Sequence, residues 1–406
     1  MTTVEQPRGA SLGDARNALV VLAVAVFGAV TTELVPVGLL PQISAALDVG
    51  TGTAGLLVSA YAVMVAALSV PLSHTTRRLP RKPLLLSTVA GYVASNVVAA
   101  VAPTFAVLAA GRVLGGVTHA LFFSVCIGYA ARLVPPAMTG RAMALASVGV
   151  SGGFVLGVPL TTALGATFGW RAAYWCLAAV VSLVLALAAV VLPAVDTEGD
   201  GRGARTGRRR DLTGVVVANG LTYLGTYVLY TYVSVLLLGA GVGERWIGLV
   251  LLAFGVCGLL GLRLAAAQLD LRPRTSAILV PAVMTAGLAG VAVSYPQLAL
   301  VVVGAGVWLT AFGPAASLYQ AASVRIAASS PETAGAWINA SSNAGIAGGA
   351  AIGAVVVGHG GVGQAAWVSA GLLASSAVLA AAARSSFPAR GDVRTASRRD
   401  ARRPVP

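Results

Sequence analysis

The stretch Phe105–Ala131 reads FAVLAAGRVLGGVTHALFFSVCIGYAA, an apolar run carrying one arginine, Arg112, about two turns from its start. A helix crossing ~30 Å of hydrocarbon needs about 20 apolar residues, and this run is longer. An arginine inside such a helix costs at least ~2.5 kcal/mol to insert. The run therefore predicts a membrane-spanning helix whose Arg112 faces a protein-lined, wet interior and has a partner there.

The rest of the chain agrees with a membrane setting. Hydrophobic residues make up 57% and charged residues 10%, with a mean hydropathy of +0.86. Soluble domains carry about 25% charge. The net charge of +14 does not point to nucleic acid, because the basic residues sit in short gaps between apolar runs and in the tail. Cys126, Cys176 and Cys257 are isolated in apolar runs without ligand spacing; they read as buried thiols, not a disulfide or metal framework. The first apolar run is too long for a signal-peptide core and is expected to remain as a span.

Twelve apolar spans follow one another, at about 18–41, 53–73, 83–102, 105–131, 142–164, 172–193, 213–238, 246–267, 275–294, 297–324, 335–357 and 364–383. Turn chemistry separates them: Pro103-Thr104, Val134-Pro135-Pro136, Gly239-Ala240-Gly241 and Tyr295-Pro296. The longest break, Ala194 to Asp211, carries Arg202, Arg205, Arg208, Arg209 and Arg210 and reads as a flexible linker. Alternate breaks are basic: Arg8 and Arg16; Arg77, Arg78, Arg81 and Lys82; Arg132 and Arg141; the linker; Arg272 and Arg274; Arg325; and the tail. The opposite breaks hold only Arg171 and Arg245. By the positive-inside rule, both termini and the linker are expected in the cytoplasm.

The two halves repeat. A spacing of 193 residues relates Gly55 to Gly248, Pro80 to Pro273, Arg81 to Arg274, Pro103 to Pro296, Arg132 to Arg325 and Gly152 to Gly345. Coincident prolines and loop arginines at one spacing indicate a duplicated six-span unit in parallel orientation. The expected fold is all-α: a cytoplasmic tail (1–17), a six-helix bundle (18–193), a cytoplasmic linker (194–211), a second six-helix bundle (212–383) and a basic cytoplasmic tail (384–406). A pseudo-two-fold axis along the membrane normal relates the bundles.

Glu33 is the acid set well inside a span. Span 1 runs outward and span 4 runs inward, so helical rise puts Glu33 and Arg112 roughly 10–12 Å below the same face. A carboxylate in a low-dielectric cavity holds its proton more tightly, and a nearby guanidinium opposes this, so such a site can bind and release a proton. A fixed structural ion pair, or a Glu33 reaching outward, is the alternative. Gly149, Gly152, Gly153, Gly157 and Pro159 on span 5 allow close helix approach and a bend. They suit either a seam that opens and closes or static packing. On span 7, Asn219, Tyr223, Thr226, Tyr227 and Tyr230 share one polar-aromatic face, with Thr222 beside it, expected to line a substrate cavity. Tyr61, Trp308, Gln320, Asn339 and Asn343 are assigned to that cavity too, the last three equally readable as interhelical hydrogen bonds. His119, about two turns beyond Arg112, joins that cavity or packs as a neutral core histidine. Adding the repeat spacing to Glu33 and Arg112 gives Thr226 and Ala305. The second half has thus lost both charges, which suggests ion coupling in the first half and substrate shaping in the second.

No metalloprotease, nucleophile-elbow, Walker or Cys/His pattern occurs, so neither an enzyme nor a cofactor or metal is expected. Arg390-Gly391-Asp392 spells an adhesion motif on the expected cytoplasmic side and is given no weight.

Several motifs carry a resemblance. Thr31-Thr32-Glu33-Leu34-Val35-Pro36-Val37-Gly38-Leu39-Leu40-Pro41, Gly111-Arg112-Val113-Leu114-Gly115-Gly116, Gly157-Val158-Pro159-Leu160 with Gly169-Trp170-Arg171, and Asn339 through Gly349 stand together. Over residues 18–383 the chain resembles the twelve-span drug:proton antiporters of the major facilitator superfamily, of the bacterial sugar-efflux and chloramphenicol-resistance type. The resemblance implies proton coupling at the span-4 arginine and an antiporter motif on span 5. One motif departs: the loop Pro71–Lys82 keeps the basic Arg77, Arg78, Arg81 and Lys82 but lacks the family's aspartate, which puts the usual charge lock there in doubt. The combined expectation is a monomeric plasma-membrane exporter of a small molecule in exchange for protons, working by alternating access through a midplane cavity lined by spans 1, 4, 7 and 10. Its rivals are a nutrient importer on the same fold and a transport-inactive receptor or scaffold.

Overall fold

The structure, a computed structural model, describes residues 12–134, 138–195, 209–326, 328 and 331–387. Arg8, Pro135, Pro136, Arg202, Arg205, Arg208 and the Arg390-Gly391-Asp392 motif lie outside the described residues. The elements are all helical: α1 (Leu12–Ala46), α2 (Thr51–Thr75), α3 (Arg81–Val101), α4 (Phe105–Arg132), α5 (Thr139–Gly152), a π-helical turn (Gly153–Gly157), α6 (Val158–Phe168), α7 (Trp170–Val191), α8 (Arg209–Tyr230), α9 (Val233–Gly239), α10 (Glu244–Leu271), α11 (Pro273–Ser294), α12 (Leu298–Phe312), α13 (Ala315–Ile326), α14 (Pro331–Gly360) and α15 (Val362–Ala382). Joined across short interruptions, they make twelve helices among the described residues that are long and apolar enough to cross a membrane.

Three expected spans are interrupted, each for a local reason. In span 5, Pro159 has no N–H to give the carbonyl of Val155, and the backbone widens into the π turn just before it. In span 7, the amide of Tyr232 bonds Leu229 three residues back at 2.9 Å, and Thr231 Oγ1 bonds the Tyr227 carbonyl at 2.8 Å. That tightened turn separates α8 from α9. In span 10, Gly313 and Pro314 end α12, and the Leu318 amide restarts the ladder on the Pro314 carbonyl. Span 4 runs unbroken; Thr104 caps it by accepting a hydrogen bond from the Val107 amide.

Contacts divide the chain into two units. The first takes in Met1–Val49, Ala60–Asp200 and Glu244–Leu252; the second takes in Gly50–Ser59, Gly201–Gly243 and Ala253–Pro406. In the first, α1 packs against α5, the π turn, α6 and α7, and α3 lies between α4 and α7. In the second, α8 packs against α14 and α15, and α11 against α12 and α15. The repeat extends to turn geometry: Gly169 (φ 85°) leads into α7, and Gly361 (φ 78°), one residue off the 193 spacing, leads into α15. Both hold left-handed backbone that a side chain would strain.

The span-5 glycines close a seam inside the first unit. A Cβ on Gly149 would strike the Ala23 carbonyl and the Phe27 amide; on Gly153, the Val30 side chain; on Gly157, Thr31; Gly152 lies beside the Phe27 ring. Along α14, Gly345, Gly349 and Gly353 press in the same way on the backbone of α8. Apolar helices in lipid gain from such close approach, because van der Waals packing and interhelical hydrogen bonds drive their association. A Gly149→Val chain should therefore lose at least ~2 kcal/mol, since the neighbour is backbone and cannot swing aside. Yield and monodispersity on size-exclusion chromatography report it, with Gly306→Val, at a site open to space, as the unaffected control.

Of the three thiols, only Cys126 is buried; Cys257 is half-buried and Cys176 is exposed on α7. On a lipid-facing helix an apolar thiol finds its medium outside the protein.

Candidate functional site

In α1 the proline at 36 withholds an N–H, and the carbonyl it would have bonded belongs to Thr32. Arg112 supplies the missing donor. Its Nη1 donates to the Thr32 carbonyl and its Nη2 to the Glu33 carbonyl, with the side chain 1% exposed. The guanidinium carbon lies 4.3 Å from the centre of the Tyr61 ring, where the negative face of the ring favours a cation. Tyr61 and His119 share a hydrogen bond of 2.7 Å at Nδ1. On its other side, His119 Nε2 stands 3.7 Å from Glu33 Oε2.

The four residues close a ring: Glu33 main chain, Arg112, Tyr61, His119 and back to the Glu33 carboxylate. When the Tyr61 hydroxyl donates to Nδ1, the neutral imidazole carries its proton on Nε2, facing the carboxylate. Phe123 packs on the His119 ring with centroids 4.7 Å apart, and Tyr92 meets it edge-on at 6.2 Å. The cluster thus holds one fixed cation, one carboxylate that can carry or lose a proton, and an imidazole between it and a phenol. It lies wholly inside the first unit.

Asn96 anchors this site and is not among the residues that the sequence singles out. Its Nδ2 donates to Thr32 Oγ1 and to the Tyr92 carbonyl, both at 2.9 Å. The available signal is an amide in the middle of an apolar span. Pro36 stands in the sequence only as part of the span-1 motif, although its spacing to Thr32 names the carbonyl that needs a donor.

The second unit carries no equivalent of the charged cluster at the repeat positions. Thr226 is buried and bonds the Thr222 carbonyl of its own helix at 2.8 Å, and Ala305 is buried. The polar-aromatic face of span 7 divides into two uses. Asn219 Nδ2 reaches α14, within hydrogen-bond distance of the Ile338 carbonyl (3.0 Å), Ser341 Oγ (2.7 Å) and Ser342 Oγ (2.9 Å). Thr222 joins Tyr319 (2.6 Å) and Ser376 (2.8 Å) in a hydroxyl network. Those groups hold α8 to α13, α14 and α15. The tyrosines form an aromatic run instead: Phe312, Tyr223, Tyr227, Tyr230 and Trp308 follow one another with centroids 5.3–6.3 Å apart. Tyr223 and Phe312 are half-buried, whereas Trp308 is fully enclosed. Asn343 is buried and bonds Asn339 one turn earlier on α14, and Gln320 is exposed on α13. Arg77 and Arg78 are exposed at the α2–α3 turn, with Arg81 and Lys82 half-buried.

Comparisons with known proteins follow the same lines. The chain is 41% identical over 266 residues to a chloramphenicol efflux pump of Mycobacterium tuberculosis, and the match spans 64% of this chain and 64% of that protein's length. It is 32% identical over 403 residues to a chloramphenicol resistance protein of Streptomyces lividans, covering 95% of this chain and 99% of that one. A probable sugar efflux transporter of Mannheimia succiniciproducens is 29% identical over 368 residues, 89% of this chain and 92% of its own. Among solved structures, a D-xylose-proton symporter shares the fold with a TM-score of 0.73 at 15% identity, covering 91% of this chain and 97% of that one. The family profile of the Major Facilitator Superfamily matches residues 22–331, and together with the twelve spanning helices this makes the chain a multi-pass membrane protein that belongs to the Major Facilitator Superfamily.

Proposed function

We propose that the chain exports a small neutral or amphipathic molecule across the plasma membrane in exchange for protons, with Glu33 as the proton-carrying group. The observation that carries this reading is the buried ring of Glu33, His119, Tyr61 and Arg112. Intramembrane ionisable groups are costly and are kept where an ion must move. Proton uptake turns Glu33 from an anion beside a fixed cation into a neutral acid, which weakens its hold on Arg112 and His119. Proton loss restores that hold. A protein that alternates between two accessibilities is biased one way by each form. The uncharged, aromatic interior of the second unit offers stacking faces and hydroxyls and suits an uncharged substrate. The names borne by the mycobacterial and streptomycete relatives support export of chloramphenicol-like compounds.

The test is uptake of radiolabelled chloramphenicol into inverted vesicles holding the protein. Acidifying the lumen should drive accumulation, and a protonophore should abolish it within the dead time of the assay. Accumulation that ignores the protonophore would overturn proton coupling; accumulation only under the reversed gradient would make the protein an importer.

A further inference from the structure

Among the described residues, the α2–α3 turn gathers cations with no carboxylate paired to them. Arg77 and Arg78 are exposed there, Arg81 and Lys82 open α3, and Arg132 ends α4. Among the described residues, none of the five forms an ion pair with a carboxylate. Arg81 and Arg132 lie close enough to repel each other. Arg81 is held in place by a 3.0 Å bond from its Nη2 to the Arg77 carbonyl, while its Nε is buried and makes no hydrogen bond. α3 begins on Pro80 with no side-chain cap and no acid in its first turn, so its positive end adds to the same field.

The repeat shows that this is particular to the first half. At the spacing of 193, Arg77 corresponds to Asp270, a reversal of charge. The counterparts of Arg81 and Arg132 are also differently engaged: Arg274 donates to the Ala381 carbonyl at the end of α15, and Arg325 to the Leu269 carbonyl near the end of α10. Orientation by basic loops alone needs charge on this face, but not a fixed arginine with a buried, unsatisfied donor. We infer that the α2–α3 turn and the end of α4 form a phosphate-oxyanion site that takes the headgroup of an anionic phospholipid. Three helices long and apolar enough to cross a membrane end or begin there, and basic pockets between such helices bind anionic headgroups. The exposed Arg77 and Arg78 guanidiniums and the first α3 amides, those of Arg81 and Lys82, would donate to the phosphate oxygens, and the five cations would offset its charge.

The experiment is native mass spectrometry of the purified chain released from detergent carrying equal phosphatidylglycerol and phosphatidylcholine. The wild type should retain phosphatidylglycerol preferentially. At about fivefold per unit charge removed, Arg81→Gln should weaken retention about fivefold and Arg77→Asp about thirtyfold. Arg77 is exposed, so its variant keeps the test alive should Arg81→Gln not fold. Added inorganic phosphate identifies the source: phosphatidylglycerol retained at tens of millimolar phosphate supports a lipid headgroup, and displacement at low concentration supports a free oxyanion at the same site. Equal retention of the two lipids without phosphate binding, or unchanged retention in both variants, would overturn the inference. Proton-driven uptake is a separate readout, so failure here leaves the Glu33 reading untouched.

Discussion

A Glu33→Gln protein should exchange substrate across the membrane yet fail to accumulate it. At a gradient of one pH unit, one proton exchanged per substrate supports about tenfold accumulation, because a tenfold ratio corresponds to ~1.4 kcal/mol. The substituted amide keeps the size and hydrogen-bonding reach of the carboxyl but cannot gain or lose a proton, so the accumulation ratio should fall to about one. Exchange of labelled for unlabelled substrate at equal pH needs no net proton movement and should continue. The neutral amide would stand where the carboxylate stands now, 3.7 Å from His119 Nε2, so local packing is kept. Glu33→Asp restores an acid and should recover part of the gradient-driven uptake. If the Glu33→Gln protein still reaches tenfold accumulation, the proton is carried elsewhere. If exchange is lost as well, Glu33 serves substrate binding.

Much of the fold was legible because lipid imposes a simple rule: a spanning segment must be apolar and long, and its ends announce themselves by proline, glycine and charge. Span 4 is the clear case, from Thr104 as cap to Arg132 at its end. The duplication was legible too, because loop prolines and arginines rarely coincide at one spacing. The breaks in spans 7 and 10 were not. Apolar composition runs on through Thr231-Tyr232 and through Gly313-Pro314, and hydropathy is blind to where a ladder bond is missing. The meeting of Glu33 and Arg112 could be placed by helical rise alone, since rise fixes depth. Rise cannot fix rotation about the helix axis. For that reason the use of Asn219 as a tie to α14, the enclosure of Trp308 and the position of His119 against the carboxylate all required coordinates. His119 is packed among Tyr61, Tyr92 and Phe123 and also stands beside Glu33, so packing and a place next to the carboxylate are compatible.

Arg112 has two separable roles, and a double variant should divide them. Arg112→Gln removes two charge-assisted hydrogen bonds to carbonyls, worth ~1.5–3 kcal/mol each, and leaves the Thr32 carbonyl without its donor. The variant should lose about 3–5 kcal/mol, seen as a clear fall in the thermal unfolding midpoint in detergent, together with proton-driven uptake. Pro36→Ala returns an N–H four residues after Thr32, the donor that Arg112 replaces. In the Arg112→Gln, Pro36→Ala protein about half of the lost stability should return, because one of the two carbonyls regains a main-chain partner. Uptake should not return with it, since no main-chain amide carries the fixed positive charge that Glu33 faces. The coupling between the two substitutions in a double-mutant cycle should therefore be large for stability and near zero for transport. Strict additivity in stability would mean that Arg112 does not stand in for the missing amide, and recovery of uptake would mean that the guanidinium acts only as a brace for the helix at Pro36. Recovery of stability alone leaves the cation with a part in moving protons that no backbone repair supplies.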